Sequence, residues 1–146
     1  MIMKVLAILL VFGAIIYGWF RNDLRRLTRD FASKEPFDGV LRSCMVRFPL
    51  DEASTDCAIG ANGTGLYMSS SKDAQENNRR WSFRYYAIRT PIFIPWSCMQ
   101  IRDAKFPMRG HLRFSVPSNK ATFFVPREAG RLLLADAGAD HASVLH

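Results

Sequence analysis

Cysteine is scarce in this chain: three residues in 146, an odd number with no CxxC pair. That excludes a disulfide-built scaffold. It also argues against a zinc site, because Cys44, Cys57 and Cys98 lie far apart and two of the three histidines, His141 and His146, fall in the tail. Seven prolines and nine glycines are ordinary numbers, so the chain is neither collagen-like nor of low complexity. Catalytic pairings are few. A nucleophile needs a base oriented beside it, and Cys98 with His111 is the one pairing the sequence offers. The Gly60, Gly63, Gly65 cluster is followed by an extended run rather than a helix start. It therefore predicts a hairpin or bulge and not a phosphate cradle. Asp51, Glu52 and Asp56 have no calcium-loop spacing and read as a solvated loop. No enzyme, cofactor or metal is expected.

What is present is apolar bulk, 49% of residues, enough for a core and too much for wholesale disorder. The length suits one domain. A mean hydropathy of −0.04 averages two unlike parts. Val5 to Phe20, VLAILLVFGAIIYGWF, carries no charge, and Met1 to Met3 extend it past Lys4. A helix through the hydrocarbon core needs about 20 residues, which this run supplies if Lys4 snorkels and the helix continues to Leu24 or beyond. Tyr17 and Trp19 suit the interface. A cleaved secretory signal would end on a small-x-small site, whereas Tyr17, Gly18, Trp19, Phe20 and Arg21 follow the core. The stretch reads as an uncleaved transmembrane anchor. Arg21, Arg25, Arg26 and Arg29 behind it put the remainder on the cytoplasmic side, with the N-terminus outside the inner membrane. Unpaired cysteines agree with a reducing compartment. The Asn62-Gly63-Thr64 sequon then reads as a turn.

Phe20, Leu24, Leu27 and Phe31 fall on one helical stripe, so one helix is predicted from about residue 3 to 33, ended by the Glu35-Pro36 step. Its stripe is expected to pack on its own domain. After Pro36 the pattern becomes extended. Cys44, Val46 and Phe48 alternate with Met45 and Arg47, and Leu66 to Met68 follows a turn spanning Gly60 to Gly65. Beyond the polar loop Ser69–Arg80, the run Trp81 to Ile88 alternates. Ile92 to Ile94, a run through Ile101, Leu112 to Val116 and Ala121 to Val125 complete seven strands. Pro117 to Lys120 forms a hairpin turn. Pro126 opens a closing helix and Gly138 stops it. The expected layout is a transmembrane and juxtamembrane helix at 1–34, a mainly β domain at 36–138 and a tail at 139–146.

Seven strands and a last helix resemble the pleckstrin-homology-like architecture, including GRAM-like domains and small bacterial membrane-associated versions. The resemblance spans about residues 40 to 137. It is carried by the Gly65-Leu66-Tyr67-Met68 strand and by Ile94-Pro95-Trp96-Ser97, after which Cys98 and Met99 replace an acidic and an aliphatic residue. It implies a seven-stranded barrel closed by the C-terminal helix. A β-sandwich is the other fold the pattern allows.

Charge is uneven. Residues 1–35 carry +3, 36–78 carry −3, 79–113 carry +7, and the remainder is neutral. The expected membrane or partner contacts are Arg21, Arg25, Arg26, Arg79, Arg80, Arg84, Arg89 and Arg113. Near an anionic leaflet each such residue is worth about 1 kcal/mol. Trp81, Phe83, Tyr85 and Tyr86 interleave with arginines as a nucleic-acid stacking surface does. Period-2 aromatics behind a membrane anchor read instead as the inside of a sheet, so nucleic acid is not expected. Two functions follow: a membrane-tethered interaction or scaffold module, an accessory subunit of a larger complex with an unidentified protein partner; or recognition of anionic membrane lipids by the basic strands. Gly13, Ala14 and Gly18 offer small positions for a neighbouring helix.

Overall fold

The computed structural model describes residues 1–20, 23–49, 55–70 and 90–138, the side chains of 17–20 and of 55 excepted. Two helices come first, α1 at Ile2–Phe20 and α2 at Asp23–Phe31. They are followed by β1 (Leu41–Val46), β2 (Thr55–Ala61), β3 (Gly65–Ser70), β4 (Ile92–Pro95), β5 (Gln100–Asp103), β6 (His111–Val116) and β7 (Ala121–Pro126). Helix α3 at Arg127–Ala137 closes the order, and a short 3-10 turn, Trp96–Cys98, joins β4 to β5. The fold is mainly β. An antiparallel four-stranded sheet, β1-β2-β3-β4, and a three-stranded one, β5-β6-β7, enclose one core.

Neither sheet closes on itself among the described residues, so the expected barrel resolves into two sheets that meet at a corner. There Arg47, just past β1, exchanges backbone hydrogen bonds with Phe124 of β7 at 2.9 and 2.8 Å. Alternation supplies the core. Cys44 and Val46, Cys57 and Ile59, Leu66 and Met68, and Leu112, Phe114 and Val116 all point inward, as period-2 strands require. Phe114 and Phe123 are register partners whose rings stack at 5.1 Å.

The outer face of the first sheet is covered too. Phe37, in the chain leading to β1, stacks on Tyr67 at 5.0 Å. The close approach leaves no room for a side chain at position 60, where a Cβ would meet the Phe37 ring at 2.5 Å and the Val40 carbonyl at 2.8 Å. Position 65 is tighter still, because the Ile94 carbonyl would lie 2.5 Å from a Cβ.

Strand β2 corrects the sequence reading, which placed a loop and a turn across it. Only Asn62 to Thr64 turns. The Asn62 side-chain oxygen accepts from the Thr64 and Gly65 amides at 2.9 and 3.1 Å, as an Asx turn does. Small residues hid the strand, since Ala58 and Gly60 have low β propensity. The strand expected at Trp81–Ile88 and the tail at 139–146 lie outside the described residues.

Helix α2 packs as the stripe predicts, with Leu24 and Leu27 buried in the core and Phe31 against it. The helix ends at Phe31, earlier than the Glu35-Pro36 step suggested, because Ala32 pairs with Ile92 and the Ser33 N–H donates to the Pro91 carbonyl at 2.8 Å. Helix is present on both sides of Arg21 and Asn22, which lie outside the described residues.

Helix α3 begins after Pro126 and stops at Gly138, which has φ 103°. Gly130 lets it approach β6, where a Cβ would meet the Leu112 side chain at 2.5 Å. Arg42 of β1 holds its far end through Asp136, with bonds of 2.9 and 3.2 Å.

Among the described residues no helix is long and apolar enough to cross a membrane. Helix α1 is 19 residues, and its described side chains end at Ile16, short of the about 20 a span takes. Those side chains, Met1 to Ile16, are exposed throughout.

Candidate functional site

Of the basic residues the sequence singled out, Arg21, Arg79, Arg80, Arg84 and Arg89 lie outside the described residues. Arg25, Arg26 and Arg113 are described, and they do not form one cluster. Arg25 is exposed on α2. Arg26 lies 3.9 Å from Asp23 and donates to the Asn119 carbonyl at 3.5 Å, so its charge serves the docking of α2. Arg113 sits in mid-β6, facing outward and exposed.

The residues around Arg113 are those the sequence reading did not select. β5 and β6 pair antiparallel with Arg102 directly opposite Arg113. Directly opposed residues of an antiparallel pair share a face, with Cβ atoms about 5 Å apart. The next residue in the same row is Phe124 of β7, and Arg47 pairs with it in turn. The outward face of the second sheet thus carries a row Arg102–Arg113–Phe124, one residue per strand, which Arg47 extends at the corner. Like charges placed opposite one another cost stability. No ion pair within the described residues offsets Arg102 or Arg113.

The turn joining β5 to β6 lies at the end of these two strands. It reads Lys105-Phe106-Pro107-Met108-Arg109. Lys105 and Arg109 are exposed, and the Phe106 side chain is 81% exposed between them. Asp103 is the one carboxylate between Ile92 and Arg127. It is already bonded, by the Arg127 guanidinium at 3.1 Å. The face is therefore cationic with an apolar tip. One signal for it lay in the sequence: a hairpin centred between Pro107 and Met108 pairs position 102 with 113. The wider charge excess drew attention to residues 79–89 instead.

The cysteines are placed for packing. Cys44 and Cys57 are register partners on β1 and β2, both buried. Burial pushes the Cys44 thiol up to about 11 and, with the adjacent Cys44 and Asp56, the Cys57 thiol up to about 12. Such thiols are poor nucleophiles at neutral pH. Asp56, expected in an acidic loop, lies in β2 and accepts from Ser43 Oγ at 3.1 Å. Among the described residues no group of three or more His, Cys, Asp or Glu side chains converges.

The Ile94-Pro95-Trp96-Ser97 segment proves structural in its contacts. The Trp96 indole N–H donates to the Asn62 carbonyl at 2.7 Å, and the Trp96 amide donates to the Thr64 carbonyl at 3.2 Å. This ties the end of β4 to the β2–β3 turn. No protein-family model, curated protein or solved structure matches the chain.

Proposed function

We propose that this is a non-enzymatic, single-pass membrane protein. In this reading α1 lies in the inner membrane with its N-terminus outside, and the β domain is a cytoplasmic interaction or scaffold module. The observation that carries the reading is α1 itself. Its described side chains are apolar except Lys4 and exposed all round, which is costly in water for so many large residues. Helix is found again from Asp23 as α2, which is packed into the domain. Four and then three antiparallel strands followed by a C-terminal helix support a pleckstrin-homology-like module. At Gly13 a Cβ would meet nothing within 4 Å, which leaves that side open to a neighbouring helix and favours an accessory-subunit role in a larger membrane complex.

Alkaline carbonate extraction of membranes from cells producing the full chain tests the tether. The full chain stays in the pellet, whereas a Leu9→Arg/Phe12→Arg variant is released folded. Release of the unaltered chain would overturn the reading. Protease added to intact cells tests orientation: the β domain survives, and its digestion from outside would reverse the topology. A second reading, recognition of anionic lipid headgroups by the basic strands, is favoured by the Arg102–Arg113 pairing.

A further inference from the structure

We propose that the outward face of β5-β6-β7 and its Lys105–Arg109 tip form a bilayer contact separate from α1. It takes anionic phospholipid headgroups among its cations and seats Phe106 at the headgroup level. The proposal rests on the tethered reading for the nearness of a membrane, and it supplies what that membrane would be read by.

The chemistry comes first. Arg102 and Arg113 stand opposite one another with no carboxylate offsetting them among the described residues. Lys105 and Arg109 extend the same charge to the hairpin tip. Phosphodiester headgroups are the complement: many anions in a plane, each able to accept from a guanidinium. A soluble acidic segment would match the charge and leave the tip unexplained. Among the described residues Phe106 is the most exposed large apolar side chain beyond α1, at 81%. Its neighbours Lys105 and Arg109 are cations whose stems can lie along an apolar surface while their charges stay in water. An aromatic ring between two such residues suits the boundary between headgroups and acyl chains.

The arrangement in the fold fits as well. Strand β6 runs His111–Val116, about 20 Å. At one end its turn to β7 grips α2 through Asn119. At the other end is the Phe106 tip. α2 and the tip therefore stand at opposite ends of β6, with Arg102 and Arg113 between them. A domain lying with this face along the bilayer engages the arginines and the tip together. On the outer face of the first sheet Phe37 covers Tyr67.

The test uses the full chain carrying Cys98→Ser and Phe106→Cys, labelled at position 106 with an environment-sensitive fluorophore. Cys44 and Cys57 are buried and do not compete for the label. The protein is reconstituted into zwitterionic vesicles and into vesicles with about one third anionic phospholipid. Flotation reads the tether, and fluorophore emission reads the tip. The expected result is flotation with both vesicles and a blue-shifted, brighter emission with anionic ones alone. Replacing Arg102, Lys105, Arg109 and Arg113 with Gln abolishes the shift while flotation and circular dichroism stay unchanged. Each single replacement lowers the seated-to-free ratio roughly fivefold.

Flotation with no shift on anionic vesicles overturns the tip and leaves the tether standing. A shift on anionic vesicles without flotation on zwitterionic ones upholds the tip and overturns the tether. An equal shift on both vesicles overturns the role of headgroup charge. A shift produced by soluble polyglutamate and not by vesicles overturns the bilayer in favour of an acidic protein.

Discussion

Asn119, in the turn between β6 and β7, donates to the Asp30 carboxylate of α2 at 2.9 Å, across 89 residues of sequence. The same amide reaches the Arg26 carbonyl at 3.4 Å, and its oxygen accepts from the Ala121 N–H at 2.9 Å. One side chain thus shapes its own turn and holds the helix that leads in from α1. Asn119→Ala should lower the stability of the full chain by about 1–2 kcal/mol, since several bonds of about 1 kcal/mol net are lost together. Urea unfolding followed by circular dichroism measures it. An unchanged midpoint would show that the latch contributes nothing.

The same carboxylate makes the latch acid-sensitive. Hydrogen bonds from Arg29 and then Asn119 hold Asp30 down at about 2, against an ordinary 3.8. A depressed carboxylate contributes stability above its unfolded value and loses it as pH falls through the folded one. The gap in thermal midpoint between the natural chain and Asp30→Asn should be full above pH 4 and should close toward pH 2. A gap independent of pH across that window would contradict the assignment.

Gly65 tests the packing of β3 against β4. Gly65→Ala sets a methyl 2.5 Å from the Ile94 carbonyl, and backbone cannot swing aside. We expect a loss of about 1–3 kcal/mol. Gly63→Ala, where nothing lies within 4 Å, should cost far less. Comparing the two unfolding midpoints isolates close approach from chain stiffness.

Thiol chemistry reports on the first sheet. Cys98, half-buried, should react with iodoacetamide in the native protein, while Cys44 and Cys57 react only once it unfolds. Their folded values of about 11 and about 12 exceed the ordinary 9.0. The buried thiols therefore contribute stability that is whole below pH 9 and is lost as pH climbs toward 12. Cys57→Ala should flatten that alkaline decline. Mass spectrometry of labelled peptides, with thermal melts from pH 8 to 11, checks both statements.

The strands around Phe114 and Phe123, the Pro117–Lys120 turn and the limits of α3 were legible because large apolar residues alternate cleanly there and proline and glycine mark the ends. β2 was not, since Ala58 and Gly60 make a poor strand signal and their pairing with β1 and β3 supplies what propensity lacks. Helix α2 ended early for a similar reason: a bridge to Ile92, distant in sequence, outweighed the local Glu35-Pro36 cue. Of the candidate surface, Arg113 stands out in the sequence as a charge alternating with the apolar Leu112 and Phe114, and it is exposed. Its partner Arg102 came from strand register, which a charge count by segment does not contain. Phe106 was passed over because one aromatic in a turn has no periodicity to mark it.

The hold on α2 decides how load reaching that helix is distributed. Ala32 joins the outermost strand of one layer and Asn119 belongs to the other layer, so a pull along the leading helix is shared between both. Neither layer can be peeled away by itself. α2 is thus clamped at two points, which fixes its axis relative to both sheets.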